Sequence, residues 1–142
     1  DLRVRSQRLK GIDVPRGLVA NAIDEFPVLA IAAACADGTT RIRGATELRF
    51  KESDRINAVV QGLENLGINA IEYQDGMDII GGEFRPGTID SRGDHRIAMA
   101  FAVAGCCSDG SVVVDDCRNI ATSFPGFVET GCSVGMNLVE KL

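Results

Sequence analysis

The chain repeats itself, and that duplication narrows the folds open to it. Residues 30–40, Ala-Ile-Ala-Ala-Ala-Cys-Ala-Asp-Gly-Thr-Thr, resemble residues 102–112, Ala-Val-Ala-Gly-Cys-Cys-Ser-Asp-Gly-Ser-Val, so that Asp37-Gly38 stands opposite Asp109-Gly110. Further on, Leu66-Gly67-Ile68-Asn69 echoes Val134-Gly135-Met136-Asn137. Each copy reads as helix, Asp-Gly turn, strand, polar loop, helix, then Gly and a strand. The period is longer than that of solenoids, so duplicated supersecondary units within one globule are expected, the copies covering approximately 13–82 and 83–142. A length of 142 residues suits one domain, with no linker or low-complexity stretch to divide it.

Local chemistry predicts the elements. Glu25 to Ala36 is rich in Ala and Leu, suited to a helix buried on most sides and stopped by Asp37-Gly38. Thr39 to Arg43 alternates polar and apolar residues, a strand signature. Ser53 to Leu66 carries apolar residues at 56, 59, 60, 63 and 66, one helix face, with Ser53 as the expected N-cap and Gly67 past the end. Ile68–Tyr73 and Met77–Ile80 flank Gln74-Asp75-Gly76, which predicts a hairpin with an Asp-Gly turn. His95 to Cys106 is the second Ala-rich helix, and Val112-Val113-Val114 its following strand. The last helix is expected to open at Phe124, with Pro125 in its first turn. Arg3 and Arg5 alternate with Leu2 and Val4, as on the solvent face of a strand.

Net charge is −5, which argues against a nucleic-acid footprint, and the run Arg3, Arg5, Arg8, Lys10 does not reverse that. Cys35, Cys106, Cys107, Cys117 and Cys132 show no metal spacing and no CxxC pair. Lying mostly in apolar runs, they read as small buried hydrophobes in a reducing, cytoplasmic setting. No signal peptide is visible, and the apolar runs Val28 to Ala36 and Ile97 to Val103 fall short of the ~20 residues of a membrane span. The chain starts at Asp1 without methionine, which suggests a fragment or a processed product.

Three charged clusters stand at predicted helix starts: Asp24-Glu25 before Pro27, Lys51-Glu52-Ser53-Asp54-Arg55, and Asp94-His95-Arg96, which holds the one histidine of the chain. Each has a plain structural explanation, a capping aspartate with dipole-matched or self-paired charges. Taken together they point further. Helix N-termini favour bound anions, and Lys51, Arg55 and Arg96 add fixed positive charge for phosphate or carboxylate oxygens. The carboxylates among them can move protons: Asp24 as a base, and Glu52 between Lys51 and Arg55, where a bound anion would raise its pKa. With no second histidine, His95 does not indicate zinc. The clusters suit a phosphorylated, acidic substrate.

In these clusters the chain resembles the C-terminal portion of the 5-enolpyruvylshikimate-3-phosphate synthase family, the 3-phosphoshikimate 1-carboxyvinyltransferases. The resemblance covers nearly the whole chain. It rests on Ile23-Asp24-Glu25-Phe26-Pro27, Lys51-Glu52-Ser53-Asp54-Arg55, Gly93-Asp94-His95-Arg96-Ile97-Ala98-Met99 and Thr122-Ser123-Phe124-Pro125-Gly126-Phe127, in that order. It implies an α/β (α+β) fold of repeated βαβαββ-type units in two pseudo-threefold domains. About two units, a partial second domain, would be present here. The implied reaction moves the enolpyruvyl group of phosphoenolpyruvate to the 5-hydroxyl of shikimate 3-phosphate and releases phosphate, in the shikimate pathway to chorismate and the aromatic amino acids. No metal or organic cofactor takes part. The implied partners are the two substrates and the N-terminal domain of the same enzyme, with neither nucleic acid nor membrane.

Carried over by position, Asp24 holds the shikimate hydroxyls and acts as base on the attacking one, and Lys51 assists that proton transfer. Glu52 protonates the phosphoenolpyruvate methylene and later takes a proton back. Arg55 and Arg96 bind phosphoenolpyruvate, while His95 supports Glu52 or the bound phosphate. Two acid–base carboxylates beside guanidinium clamps are what this chemistry needs. One position departs from the family: a lysine often precedes the Phe-Pro motif, and here Ser123 stands opposite Lys51 in the repeat. Thr122 and Ser123 offer hydroxyl donors instead of a cation, as in a family branch associated with weaker inhibition by glyphosate. The sister UDP-N-acetylglucosamine 1-carboxyvinyltransferases lack the Lys-Glu-Ser-Asp-Arg and Asp-His-Arg motifs. A rival of another class is a catalytically inactive folding or association module.

Overall fold

The computed structural model describes residues 1–3 and 5–140. A short helix α1 (Arg16–Val19) runs through a 3-10 stretch, Ala20–Glu25, into α2 (Phe26–Ala34), and β1 (Thr39–Ile42) follows. A second 3-10 turn, Thr46–Phe50, leads to α3 (Arg55–Asn65), then to β2 (Ala70–Tyr73) and β3 (Gly76–Ile80). β4 (Gly87–Asp90) and α4 (His95–Ala104) precede a 3-10 turn, Gly105–Cys107, and β5 (Val112–Asp115). Helices α5 (Ile120–Ser123) and α6 (Phe127–Ser133) complete the order.

The strands form two sheets. β3 lies between β1 and β2 and is antiparallel to both, with Arg41 opposite Asp78 and Tyr73 opposite Gly76. β4 and β5 pair in parallel, Gly87 opposite Val112, joined through α4 as a βαβ crossover. The first copy mirrors that crossover, because Lys10 and Asp13 bridge in parallel to Asp37 and Arg41 across α2. β3 turns Met77 and Ile79 into the core, while Asp78 on its other face pairs with Arg43 at 2.8 Å.

All five apolar positions expected on the α3 face, Ile56, Val59, Val60, Leu63 and Leu66, are buried, and α2 buries Phe26, Ala30, Ile31 and Ala34. Both copies end their second helix alike. The N–H of Gly67 bonds Glu64 and that of Ile68 reaches back to Leu63 (2.9 Å), while Gly135 bonds Cys132 and Met136 reaches Gly131 (3.0 Å). Gly67 and Gly135 both have positive φ, so each is the left-handed residue of a Schellman end. The Asp-Gly pairs match less well: Gly38 is left-handed and Gly110 is not.

Several sequence expectations are corrected. The first helix ends at Ala34, short of Ala36, and its N-terminal part is the 3-10 stretch. Together Arg16–Ala34 form a 19-residue apolar helical run, long enough to cross a membrane by length and composition. Its burial of Phe26, Ala30, Ile31 and Ala34 in the shared core marks it as a core helix, with Asp24 and Glu25 in its middle. Asp54, and not Ser53, caps α3, because helical backbone starts at Arg55 and the Asp54 carboxylate accepts from the N–H of Asn57 at 3.0 Å. The hairpin loop is Gln74-Asp75, and Gly76 already pairs with Tyr73. Pro125 opens no helix: it lies between α5 and α6, where Phe124 leaves helical backbone. Leu2, Arg3 and Arg5 are exposed outside any strand, and Val4 lies outside the described residues. The five cysteines are exposed, not buried. Cys35, Cys106 and Cys107 fall at helix ends and Cys117 in a loop, positions that an apolar run in sequence does not distinguish from a buried face.

Candidate active site

Helix starts from both copies converge on one guanidinium. Arg55, in the first turn of α3, is 1% exposed. Its Nε donates to Asp94 Oδ2 (2.8 Å), its Nη1 to Asp24 Oδ1 (2.9 Å), and its Nη2 to Glu52 Oε2 (2.6 Å). A guanidinium cannot shed its charge, so burial on this scale demands such pairing. Burial works against the charge of Arg55, and the bonds and charge of Asp94, Glu52 and Asp24 outweigh it.

Asp94 is fully buried and serves two purposes. It caps α4 by accepting from the N–H of Arg96 at 2.9 Å, and it also accepts from Ser53 Oγ at 3.0 Å. Burial alone would raise its pKa; the Arg55 bond and charge, with the Arg96 N–H and Ser53, hold the carboxyl below its ordinary value. Local backbone aims it. Arg92 and Gly93 are left-handed in succession, Asp90 accepts from the Arg92 N–H (2.8 Å), and Ser91 donates to Asp116 O (2.7 Å).

Asp24 stands at the end of the 3-10 stretch, half-exposed, with its Oδ1 also 3.4 Å from Lys51 Nζ. Burial raises its carboxyl pKa, but the Arg55 bond, Lys51 and Arg96 more than offset this and hold it below the usual range. Lys51 donates to Glu47 at 2.8 Å, a bond that, ahead of the Asp24 charge, raises its pKa. Glu52 is half-exposed, with one oxygen on Arg55. Arg96 donates to the Asp24 carbonyl (3.0 Å) and Glu25 Oε1 (3.1 Å). Alongside runs a cleft of about 180 Å³ lined by Asp24, Arg96, Met99, Val103 and Phe127.

Of the residues singled out in sequence, Asp24, Lys51, Glu52 and Arg55 are thus joined directly, and Arg96 through the Asp24 backbone. His95 opens α4 half-buried, with no hydrogen bond to Glu52 among the described residues. Ser123 ends α5, exposed and unbonded to the cluster. Sequence reading missed two partners. The spacing of Asp94 to Arg96 signals a cap, and nothing in the sequence signals its pairing with Arg55. Arg49 was not singled out at all. It ties the loop before α3 to the hairpin through Asp54 (2.8 Å), Glu72 (2.9 Å) and the Gln74 and Tyr73 carbonyls. The helix starts expected to receive an anion are also capped internally, by Asp54 and Asp94.

The linked groups comprise five carboxylates (Asp24, Glu25, Glu47, Glu52, Asp94) against three cations (Lys51, Arg55, Arg96). Such a cluster can hold and move protons, but it is short of positive charge for a multiply anionic ligand.

The fold and the site together define a duplicated α/β scaffold in which carboxylates from both copies meet around one buried guanidinium. Residues 1–130 match the family described as EPSP synthase (3-phosphoshikimate 1-carboxyvinyltransferase), and the chain belongs to that family. It is 56% identical over 140 residues to the 3-phosphoshikimate 1-carboxyvinyltransferase of Legionella pneumophila strain Paris, across 99% of this chain and 32% of the relative. It is 55% identical to that of Nitrosococcus oceani, across 95% and 30%. The solved EPSP synthase of Acinetobacter baumannii superimposes with a TM-score of 0.88 at 46% identity, covering 91% of this chain and 31% of that one. The chain therefore spans about a third of the length of its relatives.

Proposed function

We propose that the chain forms part of an enzyme transferring the enolpyruvyl group of phosphoenolpyruvate to the 5-hydroxyl of shikimate 3-phosphate. It would supply two units, about 13–82 and 83–142, of that enzyme's second domain. The supporting observation is the junction of Asp24, Lys51, Glu52 and Asp94 around the buried Arg55 in a chain of this family.

In the proposed reaction Asp24, assisted by Lys51, takes the proton of the attacking 5-hydroxyl as its oxygen bonds to C2 of phosphoenolpyruvate. Glu52, which must enter the step in its protonated form, gives that proton to C3, converting the methylene to a methyl group in a tetrahedral intermediate. It then takes a proton back from that methyl as the C–O bond to phosphate breaks. Phosphate leaves as hydrogen phosphate, its proton balancing the one that Asp24 took from the hydroxyl and returns to solvent. Asp24, held below the ordinary carboxylate range, stays ionised and ready to accept. Arg96 would receive the phosphoenolpyruvate anion, joined by Arg55 as Asp24 or Glu52 gives up its bond to that guanidinium. His95 would support Glu52 or the phosphate, and Ser123 would donate its hydroxyl. Exposed thiols suit the reducing cytoplasm.

The carboxylate surplus favours a second statement: alone, the chain is an incomplete site, and further cations come from the rest of the enzyme. The test is phosphate release from both substrates, with the chain alone and with a polypeptide covering the other two-thirds of its relatives. Activity is expected only in the mixture. There, Glu52→Gln lowers turnover by about 10² or more with KM little changed. Near-normal turnover of that variant removes Glu52 from proton transfer, and release by the chain alone overturns the incomplete-site reading.

A further inference from the structure

A second cluster lies at the opposite ends of the helices that carry the charged site. Cys35 is the C-cap residue of α2, and Cys107 closes the 3-10 turn after α4. The two helices pack against each other. Their N-terminal ends meet at Asp24, Glu25 and Arg96, and their C-terminal ends bring both thiols to one cleft of about 260 Å³, lined also by Glu83, Phe84 and Asp109. The positions are equivalent in the repeat: Ala33-Ala34-Cys35-Ala36-Asp37-Gly38 against Gly105-Cys106-Cys107-Ser108-Asp109-Gly110. Both residues are free thiols and accessible. Burial, and then the Cys107 thiol set against it, push the Cys35 thiol up to about 11.

We propose that Cys35 and Cys107 form a thiol–disulfide exchange site, which a small-molecule disulfide oxidises to an intramolecular bridge between the end of α2 and the turn after α4. Cys107 reacts first, because Cys35 is held as the neutral, weakly nucleophilic thiol. The Cys107 thiolate attacks one sulfur of the disulfide, forming a mixed disulfide and expelling the first small thiolate. Cys35 then gives its proton to solvent and attacks the Cys107 sulfur, expelling the second. Two protein thiols lose two electrons, and one disulfide becomes two thiols. With Cys107 capped, the neighbouring thiol no longer adds to the burial that holds Cys35 neutral. Glu83 and Asp109 make the cleft acidic, so it selects a cationic disulfide over an anionic one. The bridge ties together the far ends of the two helices whose near ends hold Asp24–Glu25 and His95–Arg96.

The chain is treated with cystamine or with oxidised glutathione, quenched in acid, alkylated and mapped by peptide mass spectrometry. Expected is a Cys35–Cys107 linked peptide, with two of the five thiols lost and restored by dithiothreitol. Cystamine should react roughly tenfold faster at low salt, the gap closing at high salt. Cys35→Ser should stop at a mixed disulfide on Cys107, with unchanged circular dichroism as the check on folding. A Cys106–Cys107 or other linkage, or a stable mixed disulfide on Cys107 beside a free Cys35 in the unmutated chain, overturns the proposal. Equal rates with the two oxidants overturn its charge selectivity.

Discussion

Asp94 shows how one buried carboxylate can serve two elements. Its oxygens satisfy the first turn of α4 and also neutralise Arg55, which begins the second helix of the other copy. Asp94→Asn keeps the shape and most of the cap but removes the charge, so it should destabilise the chain by about 3 kcal/mol at neutral pH. The pH dependence has a definite sign. A carboxyl held below its unfolded value of ~3.9 contributes fully above that pH, and the contribution is lost as pH falls through the folded value. The stability gap between the chain and Asp94→Asn, from urea midpoints, should therefore hold from pH 7 to about 5 and shrink below about 4. A gap that widens on acidification would contradict the assignment. Asp24 has the same sign, but half-exposed it contributes less.

Between elements, α3 and α4 cross at Gly62, where an added Cβ would lie 2.3 Å from the Phe101 ring. Two effects compete in Gly62→Ala. Helix propensity favours alanine by ~1 kcal/mol, whereas overpacking costs about 1–3 kcal/mol. Phe101 is fully buried, so the clash wins and thermal stability falls. Adding Phe101→Leu should recover part of the loss; no recovery would place the strain elsewhere. Arg49 joins elements differently, spreading its guanidinium over Asp54, Glu72 and two hairpin carbonyls. A lysine cannot reproduce that fork. Arg49→Lys should lower stability by about 1–2 kcal/mol and speed amide exchange in the 47–54 segment and the hairpin turn together. Exchange confined to one of them would mean that the two are not coupled through this side chain.

What could be read from sequence divides along the same line. The α3 face, the hairpin and the two Schellman glycines were legible because 3.6-residue spacing and turn chemistry are local. The N-cap went to Asp54 instead of its neighbour Ser53, a choice settled by where the Ser53 hydroxyl finds Asp94. The exposure of the cysteines and the Asp94–Arg55 pair depend on how the copies pack, which no local pattern encodes.

For the whole molecule, the site is an interface between copies: Asp24, Glu52 and Arg55 come from one, Asp94 and Arg96 from the other. The motifs were visible in sequence as three separate charge clusters; their union around one cation was not. With carboxylates in excess, the chain alone should bind phosphoenolpyruvate more weakly than about 1 mM by titration calorimetry, equivalent to less than ~4 kcal/mol. Micromolar binding would mean that the cluster rearranges to free its cations. The burial of Arg55 also bears on how any later mutagenesis is interpreted. Its charge is permanent and nearly dry, so the half-exposed carboxylates proposed to move protons also make its burial tolerable. Replacing Asp24 or Glu52 with alanine would therefore strip the chain of folding energy and chemistry together, and a dead variant would not say which was lost. Here the groups assigned to catalysis are also part of the foundation.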